Sequence, residues 1–386
     1  MKRLFILTIF AISSTLSLTA QSTEKPHDVV YLLGKLATLI DTLAVRGVDP
    51  HYITAPKLPW QVIVKGNVNQ SELKLKSTIN GSTMFTDCVG NMLWEPTIRT
   101  EHSTDAGVWA GYRGYGLGYS WNVGGDKGSI ITLGATGGSY GVNLRIHSFH
   151  NDEPEVRFEG LFLDDNNQPT TIVETDNIQL SSPIKTRTLL LDAYYMFNGK
   201  HYSYAAAYDQ SVIQKRSAGS LMVGAMYYYS HVNYAYDDNA EFILLMDDIG
   251  RFKQWQVSIG AGYAYNLVPF QGLLISAMFM PMLTVYDRHK TWRYGSNLRD
   301  QALDDVVHID DELSESEYRL KSEPLSVIDY HSSVTVNYDV RLSLTYQWSR
   351  FFANAYGQYC RFHYMDGGVK GTLRDWYVNA SIGVRF

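Results

Sequence analysis

The sequence predicts an all-β fold: a transmembrane antiparallel β-barrel of about twelve strands, within a range of ten to fourteen. Three observations support this. Long stretches alternate between apolar and polar residues, no apolar run beyond the first twenty residues approaches the length of a transmembrane helix, and the last strand ends at the terminal residue, Phe386. Only helices and closed barrels cross a membrane, because lipid cannot satisfy exposed backbone groups. A membrane-embedded form of this chain is therefore expected to be a barrel.

The composition excludes two other classes of protein. Among the 386 residues, 45% are hydrophobic and 19% are charged, so the chain is not expected to be disordered. The net charge of -6 offers no basic surface for nucleic acid. The 28 tyrosines are consistent with a membrane barrel, because aromatic side chains favour strands and membrane interfaces.

The first residues have the pattern of an export signal. Lys2 and Arg3 precede a short apolar run over residues 4–12, and small residues near position 20 offer a cleavage site before Gln21. The run is too short to span a bilayer as a helix. Residues 1–20 are therefore predicted to be a signal peptide, and the mature chain to be exported.

A different pattern occupies the segment 21–57. Apolar residues recur at helical spacing over about 27–46, which predicts one amphipathic helix. We expect this segment to lie in the periplasm or to plug the barrel mouth, packed on its own barrel. The barrel itself is predicted to occupy residues 58–386.

The clearest strand pattern covers residues 333–348. Eight apolar or aromatic residues alternate with eight polar ones there, ending in Trp348. Strands of soluble proteins usually have five or six residues, whereas a strand that crosses a membrane needs ~10. This segment is therefore predicted to be a membrane-spanning strand.

Further segments alternate in the same way. Strong candidates are 187–197, 201–209, 258–267 and 272–286, and weaker ones are 60–69, 105–113, 115–122, 129–138, 140–150, 218–234 and 351–364. The long acidic link 287–330 is predicted to be an extracellular loop. Counting back from a periplasmic last residue makes 201–209 run down and 187–197 run up.

Two points stay open in the sequence. The stretch GYRGYGLGYS forms either two strands around a turn at Arg113 and Gly114 or one long kinked strand. The segment 151–183 is either a loop or contains a further strand.

The chain ends in a two-faced strand, DWYVNASIGVRF. Alternate residues from Trp376 through Ile382 and Val384 to Phe386 are expected to face lipid and to form the signal that the barrel-assembly machinery recognises. This strand must pair with the first one, because closure leaves no free edge.

Two stretches resemble a known family. YYMFNGKHYSYAAAYDQSVIQKRSAGSLMVG (194–224) and GVWAGYRGYGLGYSWNV (107–123) are similar to a family of Bacteroidota outer-membrane proteins, the domain of unknown function 4421 (DUF4421). The resemblance extends from about residue 48 to the end. It implies an exported barrel and, because the family has no assigned activity, no functional residues. The acidic insert 299–322 is not a feature we associate with the family.

Charged residues on the polar strand faces are the main candidates for a site. These lumen-facing candidates are Asp192, Asp209, Asp339, Arg341 and Arg385. If they are paired, they neutralise a packed interior; if they are unpaired in a wide pore, they set ion selectivity. The sequence does not decide between a plugged and an open lumen.

Three functions follow as hypotheses. The preferred one is a non-enzymatic outer-membrane barrel, a porin-like channel or a structural membrane protein, with no cofactor and no metal. The second is a surface docking protein acting through the insert 299–322, although a solvated loop is the preferred interpretation of its acidic residues. The third is a lipid hydrolase built on His331 and Ser333 with Asp329.

The expected partners follow from the location. They are outer-membrane lipids and, during biogenesis, the barrel-assembly machinery, with no nucleic acid and with the oligomeric state left open. Cys88 and Cys360 are too few and too far apart in sequence to predict a disulfide.

Overall fold

The computed structural model describes residues 47–80, 89–99, 103–125, 128–163, 167–246, 248–297, 319–331, 334–366 and 369–386. The predicted signal peptide 1–20, the predicted helix 27–46 and most of the insert 299–322 lie outside the described residues. Within the described ranges, no helix is long and apolar enough to cross a membrane.

The described chain consists almost entirely of strands. They are β1 (Ile53–Thr54), β2 (Trp60–Asn80), β3 (Asn91–Arg99), β4 (Ser103–Tyr112), β5 (Tyr115–Gly124), β6 (Ser129–Thr136), β7 (Tyr140–Asn151), β8 (Glu155–Leu163), β9 (Pro169–Asn177), β10 (Ile184–Met196), β11 (Ile213–Gln214), β12 (Ala218–Asn233), β13 (Ile249–Leu267), β14 (Leu273–Arg293), β15 (Ser326–His331), β16 (Val336–Trp348), β17 (Phe351–Asp366) and β18 (Val369–Arg385). Two short helices, α1 (Tyr204–Tyr208) and α2 (Ala240–Leu245), and a 3-10 turn at Asp237–Asn239 complete the described elements.

Twelve of these strands close into one antiparallel barrel. In order around the wall they are β2, β4, β5, β6, β7, β10, β12, β13, β14, β16, β17 and β18. The last strand pairs with the first from Arg385 opposite Gln61 to Lys370 opposite Lys76, so no edge strand remains in the wall. The prediction of an all-β barrel of about twelve strands is confirmed.

The two ends of the barrel differ. At one end, here called the terminal end, the backbones of Trp60 and Phe386 exchange hydrogen bonds of 3.1 and 3.0 Å. Tight turns join four of the five pairs of consecutive wall strands that connect at this end, and the link 197–217 joins β10 to β12. At the opposite end, the loop end, β2 continues past the wall into a sheet with β3, β8 and β9, and β15 pairs with the extension of β14.

The alternation seen in the sequence separates the two faces of the wall. On β16, Leu342 and Leu344 are exposed on the outside, whereas Asp339, Arg341 and Ser343 are buried inside. A residue period of two gives each strand one face towards the lumen and one outward face. Aromatic side chains crowd the outer face near the terminal end, among them Trp60, Phe197, Tyr346, Trp348 and Phe351.

One predicted strand is wrong. Residues 201–209 contain helix α1, which lies in the link 197–217 between β10 and β12. The Ser203 side chain caps this helix by accepting from the Ala206 backbone N–H at 3.1 Å, and alanine favours the helix over a strand. The direction predicted for 187–197 is therefore also wrong: β10 runs towards the terminal end, antiparallel to β12.

The two open points are resolved by the structure. Arg113 and Gly114 have φ angles of 50° and 95° and form a tight turn, so β4 and β5 are separate strands. The segment 151–183 contains β8 and β9, which lie outside the barrel wall. The ends of the predicted loop 287–330 are also strands, because β14 reaches Arg293 and β15 begins at Ser326.

Candidate functional site

The link 197–217 folds into the terminal end of the barrel and is called the plug segment below. Side chains from four barrel strands donate hydrogen bonds to its backbone carbonyls: Ser343 to Ala207 (2.5 Å), Arg385 to Gln210 (2.7 Å), Gln61 to Asp209 (2.8 Å) and Asn266 to Ser203 (2.9 Å). These donors come from strands on opposite sides of the wall. The plug segment is therefore fixed across the bore.

Arg341 lies at the centre of the lumen in a group of charged and phenolic side chains, the lumen cluster. Its guanidinium lies 3.0 Å from carboxylate oxygens of both Asp192 and Asp339 and donates to the Tyr204 hydroxyl at 2.7 Å. Tyr194 donates to Asp339 at 2.7 Å, and its ring lies 4.8 Å below the guanidinium. Because Tyr204 belongs to the plug segment, the cluster joins the plug to the barrel wall.

Neutral donors offset the excess negative charge of the lumen cluster. Asn143 donates to Asp192 at 2.7 Å and to the Tyr204 hydroxyl at 2.8 Å, and Gln358 donates to Asp339 at 3.2 Å. The free, buried thiol of Cys360 contacts the same Asp339 carboxylate. Carboxylates paired and hydrogen-bonded in this way tolerate burial.

The other two lumen candidates lie at the terminal end. Asp209, at the end of α1, accepts from the Thr136 hydroxyl at 2.9 Å, and burial raises the pKa of this carboxyl above its usual value. The Arg385 guanidinium lies 4.6 Å above the Phe352 ring and donates to the backbone of the plug segment. Both side chains help to close this end instead of facing an open channel.

Buried apolar side chains, with polar ones such as Asn337 and Gln256, occupy the lumen from the cluster to the loop end. Tyr228 and Phe362 stack across the bore with their centroids 4.8 Å apart, and this pair is called the aromatic layer. Methionines from β12 and β14 lie in the same buried core: Met222, Met226, Met278, Met280 and Met282. Near the loop end, Tyr234 packs against Phe242 of α2 at 5.3 Å. Packed cores of this type leave no water-filled passage.

One cavity of about 150 Å³ lies between the plug segment, the lumen cluster and the wall. Its lining includes Lys65, Arg145 and Tyr377. Lys65 donates to the Thr132 hydroxyl at 3.3 Å, while Arg145 pairs with Asp375. A cavity of this size holds a few water molecules or one small polar solute.

Of the three residues of the hydrolase hypothesis, the structure describes Asp329 and His331. Asp329 accepts from the Arg288 guanidinium at 2.8 Å and pairs with it through its second oxygen. His331 lies exposed at the end of β15 with its ring 5.7 Å from Tyr286, and Ser333 lies outside the described residues. The described ranges also contain no group of three His, Cys, Asp or Glu side chains placed to hold a metal.

The residues predicted as an assembly signal lie on the outer face of β18. Ile382 and Phe386 are exposed there at 63% and 56%, and Trp376 and Val384 are partly exposed on the same side. The intervening Arg385 points inward. This face is the one that meets lipid in a membrane barrel.

Sequence reasoning missed the tyrosines of the lumen. Tyr204 and Tyr208 lie one helical turn apart, with ring centroids separated by 4.7 Å, and both face the cavity. Their spacing of four, directly after the capping residue Ser203, was the available signal for a helix. The alternation of small and aromatic residues obscured it.

Comparison with known proteins identifies a family. The family described as "Domain of unknown function (DUF4421)" matches residues 93–386. A comparison with curated proteins finds no match.

Solved outer-membrane barrels resemble the chain at low identity. The outer membrane protease OmpT from Escherichia coli is 8% identical, with 85% of this chain and 97% of that chain covered and a TM-score of 0.28. The COG4313 outer membrane channel from Pseudomonas putida F1 is 11% identical, with coverages of 88% and 100% and a TM-score of 0.28. The P. putida toluene transporter TodX is 8% identical, with coverages of 86% and 91% and a TM-score of 0.26. At these scores no activity is transferred to this chain.

Proposed function

The chain belongs to the family of the domain of unknown function DUF4421, and we propose that it is a non-enzymatic barrel whose bore is closed by its own chain. The protein lies in the bacterial outer membrane, because a closed antiparallel barrel with an apolar outer face is the form in which strands cross that membrane. Of the two roles predicted for such a barrel, the closed lumen favours a structural membrane protein over an open porin.

The filled lumen carries this proposal. A barrel of about twelve strands encloses enough space for a channel only if inward side chains leave room. Here the plug segment closes the terminal end and the lumen cluster follows it. The aromatic layer, its methionines and buried polar side chains such as Asn337 and Gln256 occupy the remainder. Charged residues that are paired in this way neutralise an interior and do not select ions.

The orientation of the barrel is part of the proposal. Outer-membrane barrels have short turns on the periplasmic side and longer loops outside. Four of the five links at the terminal end are short (113–114, 137–139, 268–272 and 349–350), and the fifth, the plug segment, folds into the bore. The links at the loop end include β8, β9, β15 and α2. We therefore assign the terminal end to the periplasm and the loop end to the exterior. A source in the Bacteroidota stays a prediction.

Liposome swelling with a small sugar tests the closed lumen. Vesicles containing the wild-type barrel are expected to swell no faster than protein-free vesicles. Replacing residues 203–211 by a Gly-Ser linker of equal length is also expected to leave the vesicles impermeable to the sugar, because the aromatic layer remains. Adding Tyr228→Ser and Phe362→Ser to that replacement is expected to admit the sugar.

The matched control removes two aromatic rings from the outer faces of the same strands. Tyr229→Ser and Tyr359→Ser, added to the linker replacement, are expected to leave the vesicles impermeable. A heat-dependent shift in gel mobility shows that each variant is folded. Sugar entry through the wild-type barrel at the rate of the combined variant would contradict the proposal.

A further inference from the structure

Four adjacent strands bring basic side chains into one row on the outer surface. In the pairing register, Arg187 of β10 is opposite His231 of β12, His231 is opposite Lys253 of β13, and Lys253 is opposite Lys290 of β14. Along each strand, the residues just before and just after these four are buried or face inward. All four side chains therefore point outward. The row lies towards the loop end of the wall.

Further cations extend this row into a patch. The Trp292 ring has the Lys290 and Lys253 ammonium groups 5.2 and 5.3 Å from its centroid and the Arg251 guanidinium at 5.6 Å. Arg288 lies 5.4 Å from the Trp255 ring. These cations and Lys185 form the basic patch, which has six side chains: Lys185, Arg187, Arg251, Lys253, Arg288 and Lys290.

The basic patch is poorly compensated by acidic residues. Within the described ranges, its carboxylate neighbour is Asp329, which is opposite Lys290 in register and forms an ion pair with Arg288. Lys253 and Lys290 carry like charges on directly opposed strand positions, an arrangement that destabilises a sheet. An external anion bound along the row would remove that repulsion.

The position of the basic patch along the strands indicates what kind of anion it meets. The next outward row towards the terminal end contains Tyr229 and Trp255, whose rings lie 5.6 Å apart, and Arg288 of the basic patch opposite Trp255. The row after that contains two aliphatic residues, Leu191 and Val257, and two tyrosines, Tyr227 and Tyr286. From the loop end, the rows therefore change from cations to aromatic rings and then to aliphatic residues mixed with tyrosines, which follows the order of head group, interface and acyl chain in a membrane leaflet.

We propose that the basic patch binds the phosphate groups of a phosphorylated glycolipid of the outer leaflet, of the lipid A class. The acyl chains of this lipid then lie against the row that contains Leu191 and Val257. Phosphate accepts charge-assisted hydrogen bonds from lysine and arginine. The inference rests on the proposed orientation, in which the loop end faces the exterior.

Binding of purified bisphosphorylated lipid A to the folded barrel in detergent tests the inference. Native mass spectrometry, with dephosphorylated lipid A as the comparison, measures the preference for phosphate. The wild-type barrel is expected to bind the phosphorylated form about tenfold more tightly, and Arg187→Gln, Lys253→Gln and Lys290→Gln together are expected to abolish this preference. The preference is also expected to fall with rising salt.

The control variant removes three outward cations from another part of the sheet: Lys74→Gln, Arg361→Gln and Arg374→Gln. Lys74 and Arg374 already pair with Glu95 and Glu72 at 3.1 and 2.9 Å. This variant is expected to keep the full preference for phosphorylated lipid A.

Three outcomes would overturn the inference. One is equal binding of both lipid forms, and another is inorganic phosphate binding as tightly as the lipid. The third is a preference that emerges only after residues 299–318 are deleted, which would make the acidic insert of the chain itself the occupant of the patch. The sugar permeability of the barrel does not enter this experiment, so its failure leaves the closed-lumen proposal standing.

Discussion

Arg341 connects parts of the molecule that are far apart in sequence. Its guanidinium binds Asp192 of β10, Asp339 of its own strand and the Tyr204 hydroxyl of the plug segment. Only 2% of this arginine is exposed. One cation therefore holds two buried carboxylates and a plug residue together.

Replacing this arginine tests its role in stability. Arg341→Met leaves Asp192 and Asp339 buried without a counter-charge, so we expect the free energy of unfolding to fall by about 3–5 kcal/mol. Denaturant titration in detergent, followed by tryptophan fluorescence, measures the change. Combining Arg341→Met with Asp192→Asn and Asp339→Asn is expected to recover most of the loss.

Arg361→Met is the matched control, because this arginine lies partly exposed on the outer face of β17. Its removal is expected to cost less than about 1 kcal/mol. An equal loss of stability for Arg341→Met and Arg361→Met would contradict the role assigned to the lumen cluster.

At the scale of single residues, the sequence could indicate which charges point inward but not what they bind. A period of two assigns Asp192, Asp339 and Arg341 to one face of their strands. Their partners Tyr194 and Tyr204 lie more than 130 positions from Arg341 in sequence, with separations of 147 and 137. Only the closure of the wall and the folding of the plug segment bring these groups together.

At the scale of elements, period two identified membrane strands well and failed at one short segment. Residues 201–209 alternate like a strand, yet Ser203 caps α1 and Tyr204 and Tyr208 meet on one helical face. Alternation over a few residues is compatible with both structures, whereas the longer runs of the barrel strands are not.

The β4–β5 hairpin depends on glycines beneath one tryptophan. A Cβ atom added at Gly111 or Gly116 would lie 2.0 Å from the Trp109 ring. This close approach explains why the stretch GYRGYGLGYS is rich in glycine. It also explains how the bulky Trp109 side chain fits into this part of the lumen.

Gly116→Ala tests that contact. The added methyl group must displace the Trp109 ring, and we expect a loss of about 1–3 kcal/mol with a changed tryptophan emission. Gly134→Ala is the control on neighbouring β6, where an added Cβ meets its nearest atom, Asn143 Oδ1, at 3.9 Å. Equal stability and unchanged emission in both variants would disprove the proposed packing.

At the scale of the whole molecule, the strand number was predictable because every long alternating segment is a barrel strand. Once 201–209 is removed, the remaining predicted segments coincide with the twelve strands of the wall. Closure through the terminal strand followed from the same pattern, because β18 pairs with β2 along its length.

The state of the lumen was not predictable from the sequence. Whether twelve strands enclose a channel depends on how far the inward side chains reach and on which links fold back inside. The plug segment resembles a strand in sequence, and the stacking of Tyr228 on Phe362 joins residues 134 positions apart. The stacked pair leaves no local pattern, and the helix signal at Ser203 does not indicate that the plug segment folds into the bore.

Single-channel recording of the wild-type barrel in a planar bilayer tests the closed lumen most directly. The control is the combined variant, in which residues 203–211 are replaced by the linker and both rings of the aromatic layer are removed. The wild-type barrel is expected to show a flat baseline, whereas the combined variant is expected to show stepwise conductance, which also verifies insertion. Regular stepwise openings of the wild-type barrel at low voltage would contradict the account.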